Sequence, residues 1–259
     1  MSEFVLAKVE LDETAATIAA EREYLAGAVQ AIKDARAEIV RKIRQDDFFL
    51  TTLEPYDPES DDPPVIKRMC EAAKLAGVGP MATVAGMIAQ EALESLISQG
   101  CTHCWVDNGG DLAIRIESPI AVEIFNEPGS REATGLELEP RDEPLGICTS
   151  SGRLGHSISF GNADAAVAIA DSAQLADAIA TALGNRVTDP ASLKTCFDPF
   201  VGIKGFIGGL AMIDGATAMH GRLPRLVPVE HRADRVTAHS AMASPRYMGT
   251  FNQSGEVKT

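Results

Sequence analysis

Apolar residues recur at helical spacing in four stretches of this chain. Val65 to Ala76 and Met81 to Gln99 each carry such a pattern, and Leu175, Ala176, Ile179, Ala180 and Leu183 repeat it over 172–184. The fourth runs from Thr14 to Arg44, where Ile18, Leu25, Ile32 and Ile39 stand seven apart with Val29 and Ile43 beside them. It predicts one long helix of roughly 45 Å. Its seam suits either a homodimer interface or a helix laid across a sheet. Short apolar runs bounded by turn residues predict strands near 104–107, 111–116, 120–126, 134–139, 145–149, 156–160 and 164–170, then from Gly208 to Ala218. A short helix is expected near 190–197. Runs of strands beside runs of helices make the fold class α+β.

Punctuation sets the boundaries. Residues 54–64 form a proline-rich acidic loop, and Asp61 or Asp62 is placed to cap the helix after it. Ser172 is placed to cap the 172–184 helix and Gly184 to stop it. Residues 1–221 read as a single domain. The tail, 222–259, is poor in large aliphatics after Arg232 and is expected to be partly extended or disordered.

Composition narrows the function classes. The chain has 259 residues, 45% of them apolar, enough for one large core. Its net charge of −14 argues against a nucleic-acid partner, whose phosphates are bound by clustered Lys and Arg. The N-terminus shows no signal pattern and no apolar run is long enough to span a bilayer, so no membrane partner and a cytoplasmic location are expected. Five cysteines fit a reducing compartment. Cys101-Thr102-His103-Cys104 has C-x-x-C spacing, but it follows a helix end and has no second ligand pair for zinc.

Four loci carry candidate chemistry. Asp177 and Thr181 are four apart on one helix face and offer the hard oxygen donors magnesium takes; an exposed face with Thr181 bonded to a carbonyl one turn earlier is the bland alternative. Asp107-Asn108-Gly109-Gly110-Asp111 joins two strands, as a hairpin or as a hairpin that also lets backbone amides approach a ligand. Gly77-Val78-Gly79-Pro80-Met81-Ala82 leads into a helix, as a plain turn or as an anion-friendly corner. Finally Thr149-Ser150-Ser151-Gly152 precedes His156, which is either a general base or a histidine bonded within a tight turn.

In order and spacing, the strings GVGPMATVAG, VDNGGDLAI, CTSSG with a later histidine, and ADAIATALG resemble the ApbE-like superfamily. The likeness covers about 47–221 and is greatest to a cytosolic, functionally uncharacterised branch of it. It implies mostly antiparallel or mixed sheets flanked by helices. It also implies a flavin nucleotide, FAD or FMN, as ligand and Mg as cofactor, since many members use magnesium to split FAD and transfer FMN to a protein. By resemblance, Asp177, Thr181 and the backbone of Ala82 hold the metal. Gly79, Pro80, Met81, Asn108, Gly109, Gly110, Asp111, Thr149, Ser150, Ser151 and Gly152 face the nucleotide, and His156 acts with Asp177 in catalysis. His156 leads into Ser157-Ile158-Ser159-Phe160-Gly161 rather than the Asp-Pro-x-Thr-Gly of the transferases. A protein that holds a flavin or related ligand without cleaving it, or one that keeps the fold without the site, are the alternative expectations.

Overall fold

The chain opens with a hairpin, where a helix was expected from Thr14. Phe4–Leu11 (β1) pairs antiparallel with Thr14–Glu21 (β2), and Asp12 takes the left-handed turn conformation at φ 50°. The reason is tertiary. β2 is hydrogen-bonded on both sides, to β1 and to Cys104–Asp107 (β3), and Ala16, Ile18 and Ala20 alternate into the helical layer. Helix propensity of an alanine-rich segment yields to that pairing. The long helix is present but starts later, as Leu25–Gln45 (α1). Its stripe of Leu25, Ala28, Val29, Ile32, Ala35 and Ile39 is covered by the chain's own core, so it offers no free dimer seam.

The computed structural model describes residues 3–126, 130–150, 161–231, 250–251 and 257–258. Asp47–Thr51 (α2), Pro64–Ala76 (α3) and Val84–Ser98 (α4) follow α1. Then come Asp111–Ile116 (β4), Ile120–Asn126 (β5), Glu132–Leu138 (β6), Arg141–Ser150 (β7) and Ala165–Ala170 (β8). Ala173–Arg186 (α5) leads to Phe206–Ile213 (β9), Ala216–Gly221 (β10) and Arg225–Glu230 (β11). Short strands Thr250–Phe251 (β12) and Val257–Lys258 (β13) close the chain.

The main sheet runs β10-β9-β8-β7-β4-β3-β2-β1-β12-β13, antiparallel except where β12 joins β1. A second sheet, β11-β6-β5, lies on one face and the helices on the other. Period-two alternation sorts the side chains. Ala166, Ala168 and Ala170 of β8 face the helices, while Val167 and Ile169 face the small sheet. Alanines and Gly146 on the helical side allow α5 to lie close: a Cβ at Gly146 would stand 2.5 Å from Ala173 Cα. The fold is thus α+β, with β11 carrying it past Gly221.

The acidic loop is anchored rather than loose. Lys42 Nζ of α1 lies 2.8 Å from Asp62 Oδ2, both nearly inaccessible, and 5.3 Å from the Tyr56 ring centre. Asp62 also accepts from Glu59 N at 2.8 Å. It is therefore spent on Lys42 rather than on capping α3, whose N-cap is Pro63.

Candidate functional site

The start of α4 is where the separate sequence motifs meet. Thr83, the residue before α4, turns its hydroxyl back to Pro80 O at 2.7 Å and gives the helix no cap. The free first-turn amides are served instead from α5. Asp177 Oδ2 accepts from Gly86 N at 2.9 Å, and the neighbouring Ala85 amide also favours the charged carboxylate. The next motif reaches the same turn, as Asn108 Nδ2 donates to Ala85 O at 3.1 Å. Asp177 is buried, so the reading of an exposed face is corrected: the helix packs this side against α4 because Gly86 has no side chain to hold it off.

The β3–β4 loop is built for that reach. Gly109 and Gly110 take φ of 72° and 102°, which favour glycine, and Gly110 N donates to Asp107 Oδ1 at 2.9 Å. Hairpin geometry therefore accounts for both glycines. Thr149 N then bonds Gly110 O at 3.2 Å, which fastens the loop to the end of β7. Asp111 stands opposite Cys148 in register, on the helical side of the sheet. Cys148 Sγ donates to Ala173 O at 3.3 Å, with the Asp111 carboxyl beside it.

Two carboxylates thus stand near one another, Asp177 buried and Asp111 half-buried. Burial pushes Asp177 up to about 7, against the pull of the Gly86 and Ala85 amides. Burial also pushes Asp111 well above the usual carboxylate range, and the charge of Asp177 adds to the push. Burial and these two carboxylates keep Cys148 a thiol. Both acids cannot ionise there without a counter-charge. The donors near it are hard oxygens, the Asp177 carboxylate and the Thr181 hydroxyl one turn on, and Ala82 belongs to the apolar cluster packed on α5. Among the described residues no three His, Cys, Asp or Glu side chains stand together as a metal group. A hard divalent cation held by one carboxylate plus hydroxyl, carbonyl and phosphate oxygens fits this donor set, and a thiolate metal centre does not.

Other expected residues have packing roles. Gly77 ends α3 in the left-handed conformation at φ 73°. A Cβ at Gly79 would stand 2.0 Å from Thr52 O, Pro80 is buried, and Met81 packs on the α1–α4 core. Ser151, Gly152 and His156 lie outside the described residues. The flanks of their segment, Ser150 and Gly161, both lie against Gly184, inside α5 rather than at its end. Ser172 makes no capping bond to α5; its place is taken by Gln90 of α4, whose Oε1 accepts from Ala173 N at 2.9 Å. Gln90 and Cys148 were not singled out by the pattern. The only signals were a buried amide on an apolar helix face and a glycine, Gly86, where alanine propagates a helix better by about 1 kcal/mol. Two cavities lie elsewhere: about 520 Å³ bounded by Phe125, Thr134, Met212, Leu226 and Pro228, and about 330 Å³ beside Lys42.

Comparison with known proteins follows this geometry. Residues 4–196 match the family described as AbpE bacteria. A UPF0280 protein of Methanocella arvoryzae is 44% identical over 231 residues, 89% of this chain and 94% of that one. One from Methanothrix thermoacetophila is 43% identical, covering 88% and 96%. The ApbE protein of Thermotoga maritima superposes with TM-score 0.56 at 13% identity, over 85% of this chain and 97% of its own. The flavinyl transferase ApbE of Pseudomonas stutzeri, in its apo form, gives 0.51 at 13% identity, over 84% and 94%. At such identities the likeness is one of fold. With a family match over most of its length and relatives above 40% identity, the chain belongs to the ApbE-like superfamily, in the branch of the UPF0280 proteins.

Proposed function

We propose that this protein binds a flavin nucleotide, FMN or FAD, with its phosphate end directed to the Asp177–Thr181 face of α5. The carrying observation is the convergence of Asn108 and Asp177 on the Ala85–Gly86 turn, with Asp111 close enough to Asp177 to feel its charge. A strongly acidic chain repels phosphate, and a magnesium ion held by Asp177, Thr181 and the Ala82 carbonyl would offset that charge and polarise a phosphoryl oxygen. Asn108 and Asp111 would orient the nucleotide from the loop, and Thr149 and Ser150 from the end of β7. Where FAD is bound, a water or acceptor hydroxyl, giving its proton to His156 as the candidate base, would form the new P–O bond at the FMN phosphorus while the pyrophosphate bond breaks and AMP leaves.

The experiment is a mutational one. In FMN titrations with magnesium, Asp177→Ala and Asn108→Ala should each lose affinity by about tenfold or more, while Ile207→Val, in β9 on the side of the small sheet, should not. Equal affinity in all three would place any flavin site elsewhere. A second reading has its own support: Asp177 already caps α4, so the site could hold a ligand without cleaving it. Incubation with FAD decides between them, since cleavage releases AMP and holding does not.

A further inference from the structure

Helices α4 and α5 cap each other. Gly86 N–H of α4 donates to Asp177 of α5, and Ala173 N–H of α5 donates to Gln90 of α4, both at 2.9 Å. Gly86 and Gln90 are one turn apart, as are Ala173 and Asp177. The two bonds therefore close a ring whose sides along the helices are each about 6 Å, formed by helices passing in opposite senses. A slip of one helical turn along the axis, about 6 Å, breaks both together. The approach is close because Gly86 is bare: a Cβ there would stand 2.4 Å from Ala173 O and 2.8 Å from Asp177 Cβ.

Gln90 is itself held. Its Nε2 donates to Glu94 Oε1 at 2.9 Å, and Glu94 Oε2 accepts from Arg68 Nη1 of α3 at 2.9 Å. A buried amide costs stability unless its groups are partnered, and here both ends are used. The oxygen serves the buried N-terminus of α5, whose Ser172 makes no capping bond, and the nitrogen ties the amide through Glu94 to α3.

We propose that Gln90 is a positioning residue: through Ala173 it fixes the axial register of α5 against α4 and so holds the Asp177 carboxylate at the Ala85–Gly86 turn beside Asn108. Gln90 would touch no ligand. The proposal rests on the reading of Asp177 as the anchor of the site, and its test is chosen to stand apart from flavin binding.

The test is amide hydrogen exchange of the full chain without ligand, with α1 amides as the internal reference for global opening. Gln90→Ala should speed exchange at Gly86 about tenfold more than at the α1 amides. Gln90→Glu combined with Glu94→Gln keeps an acceptor for Ala173 and restores a donor beside it, so Gly86 protection should return. If Gly86 and α1 amides change together in Gln90→Ala, or if the double variant stays as exposed as the single one, the proposal is overturned. A parallel FMN titration with magnesium separates the two ideas. Wild-type protein that binds no flavin removes the functional reading, while the exchange result still decides the role of Gln90.

Discussion

At the residue scale, Gly86 and Asp177 carry the strongest commitments. Alanine at Gly86 gains about 1 kcal/mol in helix propensity. It also drives a methyl group into the Ala173 carbonyl and the Asp177 side chain, an overpacking that costs about 1–3 kcal/mol and parts Asp177 from its amide. Gly86→Ala should therefore lower stability in urea unfolding. Asp177→Asn keeps an oxygen for Gly86 but removes the titration. The folded protein holds the Asp177 proton to about pH 7, whereas an unfolded carboxylate releases it near pH 4. The folded state thus binds more protons in that window, and this group's contribution falls as pH rises through it. The melting temperature of wild type relative to Asp177→Asn should rise as pH is lowered from about 8 to about 5.5. A flat difference would contradict the assignment.

At the element scale, the Lys42–Asp62 pair joins α1 to the acidic loop. Burial works against the Lys42 charge, but its bonds to Asp62 and Tyr56 outweigh that and raise the lysine above its usual range. Removing Asp62 leaves the buried Lys42 charge with only the exposed Glu59 carboxylate at 3.6 Å and the Tyr56 ring, so Asp62→Ala should cost about 3 kcal/mol in denaturant unfolding. The elements themselves were unequally legible. Strands β3 to β5 and helices α3 to α5 follow from local periodicity and turn residues. In contrast, β2 was hidden because TAATIAAE is alanine-rich and Ile18 falls in step with Leu25, Ile32 and Ile39. Only the pairing of β2 between β1 and β3 decides it. β1 and β11 were missed, and Arg225–Glu230 is a strand because it pairs with β6, far away in sequence. In the candidate site, the N-G-G-D loop and the Asp177 helix could be read from the chain. Their junction could not, because Gly86 and Asp177 are 91 residues apart and neither Gln90 nor Cys148 signals its partner.

At the scale of the whole molecule, a ten-stranded sheet with helices on one face brings a loop, a strand end and two helices to one turn. The chain carries a net charge of −14, and the meeting point is itself acidic. On the proposed reading, a phosphate-bearing ligand would approach this chain with a counter-ion, which would link affinity to the cation. The most direct test is equilibrium titration of the wild-type protein with FMN and with FAD, with and without magnesium. The account predicts binding that strengthens when magnesium is added; no flavin binding in either condition, or binding indifferent to magnesium, would contradict it.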